Sequence, residues 1–161
     1  YFFVNDMDLN TGKVFMQKRL GWCHSDLNLA HLLAEYNNVV ESDSAVTTVV
    51  TAAIESLQSR NTLEKNFIKD PFICHGFSGV AHYFRKLNCI VEGKDCDPDY
   101  EFYINETLEY FEARDDAYFT SEKFYEDAGN VSLFYGNAGV GLSLLTYLFP
   151  EATQWSEIIL I

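Results

Sequence analysis

Basic residues are scarce in this chain. Its 161 residues carry 11 Lys and Arg against 24 Asp and Glu, a net charge of −13. So few cations cannot neutralise a run of phosphates, so no nucleic acid is expected as a partner, and a cationic peptide fits better. A solvated acidic surface accounts for the same count. Long apolar runs are missing too: no stretch approaches the ~18 residues of a membrane helix, and no basic leader followed by an apolar segment opens the sequence. Neither a membrane span nor an export precursor is visible, and reduced thiols in a cytoplasmic setting are expected. An initiating methionine is also absent. The opening Tyr1-Phe2-Phe3-Val4 reads as the interior of a longer product, so residues 1–161 are expected to be a fragment of one domain.

What is present is the balance of a soluble globular protein, 48% hydrophobic and 22% charged. Thirteen Phe and ten Tyr demand a large core or a broad contact surface.

Three segments align without gaps. They are His24-Ser25-Asp26-Leu27-Asn28-Leu29-Ala30-His31, His75-Gly76-Phe77-Ser78-Gly79-Val80-Ala81-His82, and Tyr135-Gly136-Asn137-Ala138-Gly139-Val140-Gly141-Leu142. Each reads as a small-residue turn opening an apolar helix. Gly76 and Gly79 recur as Gly136 and Gly139, whereas the first copy has Ser25 and Asn28, which can partly imitate glycine in a turn. Helices of a second kind lie between the copies. Val46, Val49, Val50, Ala53, Ile54 and Leu57 form one apolar stripe at helical spacing, which outweighs the strand propensity of the β-branched run 46–51. Tyr100, Tyr103, Ile104, Thr107, Leu108 and Phe111 repeat that spacing, with Asp97 as the expected N-cap and Pro98 in the first turn.

The unit is therefore a helix pair, an inner helix apolar nearly all round and an outer amphipathic one. Stacked pairs give an all-α fold, an α/α solenoid or closed toroid whose Gly-rich turns converge at one mouth. A third pair starts at Gly136, with Pro150 ending its inner helix and Trp155 to Ile161 supplying the start or remnant of an outer one. Residues 113–130 read as a loop or short strands.

Cysteine and histidine fall on those turns. Cys23-His24 precedes the first inner helix and Cys74-His75 the second, at matched repeat positions, so they can converge although far apart in sequence. Soft thiolates with imidazole select zinc, and three protein ligands leave a fourth position open. Buried free cysteines are common, and either dipeptide alone would be unremarkable; their shared register argues for metal. Cys89 and Cys96 match no metal spacing and read as spare thiols, with a disulfide between them as the less favoured reading. His31 and His82, one turn into their helices, read as packed or hydrogen-bonded core histidines.

Gly21-Trp22-Cys23-His24-Ser25-Asp26-Leu27, then Cys74-His75-Gly76-Phe77-Ser78-Gly79-Val80, then Gly136-Asn137-Ala138-Gly139-Val140-Gly141-Leu142, resemble the successive signature motifs of the lanthionine synthetase C-like (LanC) cyclases. The end, Trp155-Ser156-Glu157-Ile158-Ile159-Leu160, is similar to that family's closing segment. The resemblance covers most of this chain but only the C-terminal part of a family member, about three hairpins of the toroid. It implies one catalytic Zn2+ held by Cys23, Cys74 and His75. It implies a cyclase that adds peptide cysteine thiols to dehydroalanine or dehydrobutyrine, forming thioether rings in a lanthipeptide precursor of a bacterial pathway. The implied partners are a dehydrated precursor peptide, with a dehydratase and a transporter of the same pathway as further candidates.

The pattern departs from the family in places. The stand-alone cyclases usually carry Tyr then Gly after the first cysteine, where this chain has His24 and Ser25. Histidine there is similar to the bifunctional class II synthetases, which mostly pair it with a second Cys at the place of His75. Arg19 matches an arginine that the family keeps near its site, and a surface arginine is the competing reading. His24 and Arg19 are the catalytic candidates. A LanC-like domain that binds zinc and a thiol or partner protein without cyclising is the alternative. A piece cut from a toroid leaves apolar helix faces uncovered, so the isolated chain is expected to self-associate and to bind metal without turnover.

Overall fold

The computed structural model describes residues 4–8, 13–16, 19–23, 25–40, 43–60, 62–114 and 131–159. An antiparallel hairpin of β1 (Val4–Asp8) and β2 (Lys13–Met16) comes first, with Asp6 opposite Phe15 and Asp8 opposite Lys13. The helices follow: α1 (Asp26–Val39), α2 (Ser44–Gln58), α3 (Leu63–Asn66), α4 (Phe77–Ile90), α5 (Asp97–Glu112) and α6 (Asn137–Leu148), then a 3-10 turn, Gln154–Ile159. The helical body is the expected all-α architecture, and the small hairpin is an addition that the sequence pattern did not suggest.

α1, α4 and α6 are the inner helices. α4 packs against α1 on one side and α6 on the other, with α5 behind it, and α2 lies behind α1. α4 is central, and its sequence shows why: Phe77 through Phe84 and Leu87 are all buried, so it has almost no wet face. The outer helices bury one stripe each, Val50, Ile54 and Leu57 on α2 and Tyr100, Tyr103, Ile104 and Thr107 on α5. The β-branched run is therefore helical, because burial of one stripe over fifteen residues outweighs local propensity.

Side-chain caps open the first three helices. Ser25 Oγ accepts from Asn28 N–H to open α1, Asp43 Oδ1 accepts from Ala45 N–H to open α2, and Thr62 caps α3. At α5 the expected cap moves by one residue. Cys96 is the N-cap, Asp97 is already helical, and the Asp97 N–H donates to Asp95 Oδ1 at 3.1 Å. The cause is local: Asp97 Oδ1 is engaged by Asn88 Nδ2, which also brings the end of α4 to the start of α5. The expectation of a loop or short strands in 113–130 falls outside the described residues from 115 onward.

The glycines that recur in the repeat answer one steric demand. A Cβ on Gly79 would lie 1.8 Å from the carbonyl oxygen of Ile73, and one on Gly139 would lie 1.9 Å from that of Leu133. In both copies the turn before the helix crosses the helix so closely that only hydrogen fits. In the first copy the equivalent carbonyl belongs to Trp22, and the Asn28 side-chain amide donates to it at 2.9 Å. A hydrogen bond thus replaces the close contact, and the same amide also reaches the hydroxyl of the fully buried Tyr83. Gly79→Ala should destabilise the protein by about 3 kcal/mol through overpacking. Denaturant titration would measure this, and an unchanged midpoint would contradict the steric reading.

His31 and His82 are core residues, 3% and 1% exposed. His31 sets its ring edge-on to Tyr83, and His82 packs on Trp155 with ring centres 4.7 Å apart. Burial first, and the Lys86 charge second, lower the pKa of His31 to about 4 and that of His82 to about 3. An unfolded imidazole takes its proton near 6.5, so below that pH unfolding takes up protons. Their contribution is intact above about pH 6.5 and is lost as the pH falls towards the folded-state values, together by about 4 kcal/mol near pH 5. Thermal melts from about pH 7.5 to about pH 5 should show a steep fall in Tm that a His31→Leu/His82→Leu double variant lacks.

Candidate metal centre

The turns that open the inner helices are tied to one another through the backbone. Trp22 N–H donates to the Cys74 carbonyl at 2.7 Å, and Cys74 N–H donates to the Phe134 carbonyl at 3.0 Å. Trp22 reinforces the junction with its ring against Phe134, centroids 4.6 Å apart, and its indole N–H on the Ile159 carbonyl. Each bond contributes only about 1 kcal/mol, but together they fix the register of three turns distant in sequence.

That register brings the predicted ligands together. Cys23 and Cys74 lie 51 residues apart in the chain, yet their sulfurs are 3.9 Å apart. His75 Nε2 is 3.0 Å from Cys23 Sγ and 3.7 Å from Cys74 Sγ. All three donor atoms lie within 4.8 Å of one another, with Cys23 exposed, Cys74 buried and His75 half-buried. A tetrahedral ion with sulfur at about 2.3 Å and nitrogen at about 2.0 Å would set sulfurs about 3.8 Å apart and sulfur and nitrogen about 3.5 Å apart. Two edges of the observed triangle meet those values. The third, between Cys23 and His75, is the shorter contact of a thiol–imidazole hydrogen bond. Geometry and donor chemistry therefore fit a soft divalent ion, with access from the exposed side of Cys23.

The electrostatics of Cys23 are set by its neighbours. Burial, then the neighbouring Cys74, push the Cys23 thiol above its ordinary range, while its backbone hydrogen bond and the Arg19 guanidinium pull it down. Two adjacent thiols resist joint ionisation unless a cation lies between them. Arg19 Nη2 is 3.8 Å from Asp70 Oδ2. Asp70 also accepts the Phe72 N–H on Oδ1 and the Phe77 N–H on its carbonyl, so the residue that shapes the entry to α4 also holds Arg19 near the site. His24 lies outside the described residues. Cys89 and Cys96 are free thiols away from the cluster, and burial, followed by Asp99 and other nearby acids, pushes Cys96 up to about 11.

Sequence reasoning missed Tyr135. Its hydroxyl is 3.2 Å from Cys74 Sγ and its ring centre 5.9 Å from that of His75. The signal was available, since Tyr135 precedes Gly136 as His75 precedes Gly76. A cavity of about 560 Å³ lies at the other end of α1 and α4, lined by Asn37, Asn38, Thr47, Thr51, Cys89 and Glu92. It gathers no comparable set of ligating groups, so the chemistry is assigned to the turns.

Stacked helical hairpins whose opening turns converge on a Cys-Cys-His cluster define a class, an α/α repeat protein with a cluster of soft ligating groups at its mouth. The family model for lanthionine synthetase C-like protein matches residues 6–160, and the chain belongs to that family, whose fold is a helical toroid. Comparison with curated proteins and with solved structures gives no match. Among the described residues no helix is long and apolar enough to cross a membrane.

Protein purified under reducing conditions should carry close to one equivalent of a transition metal, and Cys74→Ala should abolish it. Elemental analysis is the measurement, and wild-type protein without metal would remove the assignment.

Proposed function

We propose that this chain is the zinc-bearing part of a lanthionine cyclase acting on a dehydrated precursor peptide. In the reaction a peptide cysteine sulfur bonds to the β-carbon of dehydroalanine or dehydrobutyrine, and the α-carbon then takes a proton, so the ring closes with no net loss of atoms. The observation that carries the reading is the convergence of Cys23, Cys74 and His75 on matched turns of a LanC-like repeat. Those three residues would hold Zn2+, which when bound would keep a peptide thiol deprotonated near neutral pH.

The chain's own residues supply the rest. Cys23 lies on the exposed side of the cluster, so a peptide reaches the site from the mouth without displacing the core. Arg19, oriented by Asp70, provides a fixed cation beside Cys23, where negative charge sits first on the nucleophile and then on the enolate of the attacked residue. His24, next to Cys23 in the chain, is assigned the delivery of the proton to the α-carbon. The acidic charge of −13 suits a cationic peptide.

A second reading, a LanC-like zinc domain that binds a thiol or a partner without cyclising, is favoured by Ser25. That residue stands where the resemblance implies glycine, and its hydroxyl is committed to capping α1 and to the Gly21 carbonyl. Incubating the full-length protein with a dehydrated precursor and counting alkylatable peptide thiols separates the two: loss of thiols at constant peptide mass means cyclisation, and persistent thiols on a bound peptide mean the second reading. His24→Phe should keep the metal while slowing ring closure by about 100-fold. Loss of metal in that variant would make His24 a ligand or a fold determinant instead.

A further inference from the structure

We infer that Tyr135 is a positioning residue for Cys74: its hydroxyl donates a hydrogen bond to the sulfur once that sulfur coordinates a metal, fixing the direction of the thiolate and moderating its electron donation. The inference rests on the metal reading above and adds a role for the third turn of the repeat.

The third turn is the one without a ligand. Phe134 stands where the other turns have Cys23 and Cys74, and Tyr135 stands where they have His24 and His75. Yet this turn grips Cys74 at both ends. The Phe134 carbonyl accepts the Cys74 N–H at 3.0 Å, and the adjacent Tyr135 hydroxyl lies 3.2 Å from Cys74 Sγ. Tyr135 is itself set in place by its N–H, which donates to Ser132 Oγ at 3.0 Å. Two consecutive residues thus locate both the backbone and the sulfur of the buried ligand.

The chemistry selects a phenol for this place. In the thiol form Cys74 S–H donates to the Tyr135 oxygen. A coordinated sulfur has no proton, so the bond survives only if its partner can donate in turn, and a hydroxyl can do both. A buried anionic sulfur with no donor would bear a desolvation cost, and outer partners of this kind hold ligand geometry in metal sites. Packing does not account for the residue, because Tyr135 is 52% exposed. Removal of its oxygen should therefore leave the fold intact.

The test compares wild-type protein with Tyr135→Phe, both reduced and loaded with cobalt(II) as the probe. Three readouts are taken: stoichiometry, affinity by competition with a chelator, and the energy of the sulfur-to-cobalt charge-transfer band. Stoichiometry should stay near one in both proteins. The variant should bind about tenfold more weakly, and its band should move to lower energy because the undonated sulfur is more easily oxidised. Equal affinity and an identical band would overturn the role of Tyr135 and leave the metal centre standing. Loss of all cobalt from a variant with unchanged circular dichroism would also overturn it, by making Tyr135 a ligand. Wild-type protein that takes up no cobalt would instead overturn the metal reading on which the inference rests.

Discussion

Everything at the mouth depends on the backbone of Cys74. Its carbonyl accepts from the first turn at Trp22 and its N–H donates to the third turn at Phe134, so one residue is the hinge pin of three repeats. Without those two bonds Cys23 would have no reason to approach Cys74 across 51 residues of chain. The site is a product of register between turns, and the register is carried by main-chain groups that any sequence possesses.

Side chains decide whether the turns come close enough for those bonds to form. Gly79 and Gly139 let the carbonyls of Ile73 and Leu133 pass within a distance that no Cβ allows. Ile73 immediately precedes Cys74, and Leu133 immediately precedes Phe134, so the glycine contacts sit directly behind the Cys74 turn and behind the turn that holds it. Asn28 shows another solution to the same geometry, in which an amide fills the gap and bonds the carbonyl it meets. A helical repeat can thus change its residues while preserving the placement of its turns.

The same repeat positions also separate two kinds of histidine. His31 and His82 lie one turn inside their helices, where burial keeps them neutral, and they serve as packing surfaces for Tyr83 and Trp155. His75 lies at the turn itself, half-buried, with two sulfurs as neighbours. The difference is one of depth along the inner helix: a few residues move an imidazole from a dry core to a half-buried place beside two sulfurs.

The sequence by itself determined the helical class, the inner and outer stripes, and which two cysteines and histidine would come together. Those features are periodic or chemically distinctive: Phe77 to Phe84 form an apolar run that belongs inside, and Cys-His before an inner helix occurs twice in one register. Tertiary structure alone decided the rest. That Asp70 serves both the α4 entry and Arg19, that Asn28 stands in for glycine by bonding Trp22, and that Tyr135 reaches the Cys74 sulfur are relations between residues on different turns. Periodicity records which face of a helix is wet and says nothing about which turn a neighbouring turn will touch. That choice is made by backbone hydrogen bonds, which leave no pattern along a single chain; the recurring glycines mark where a close approach occurs but not which carbonyl they meet.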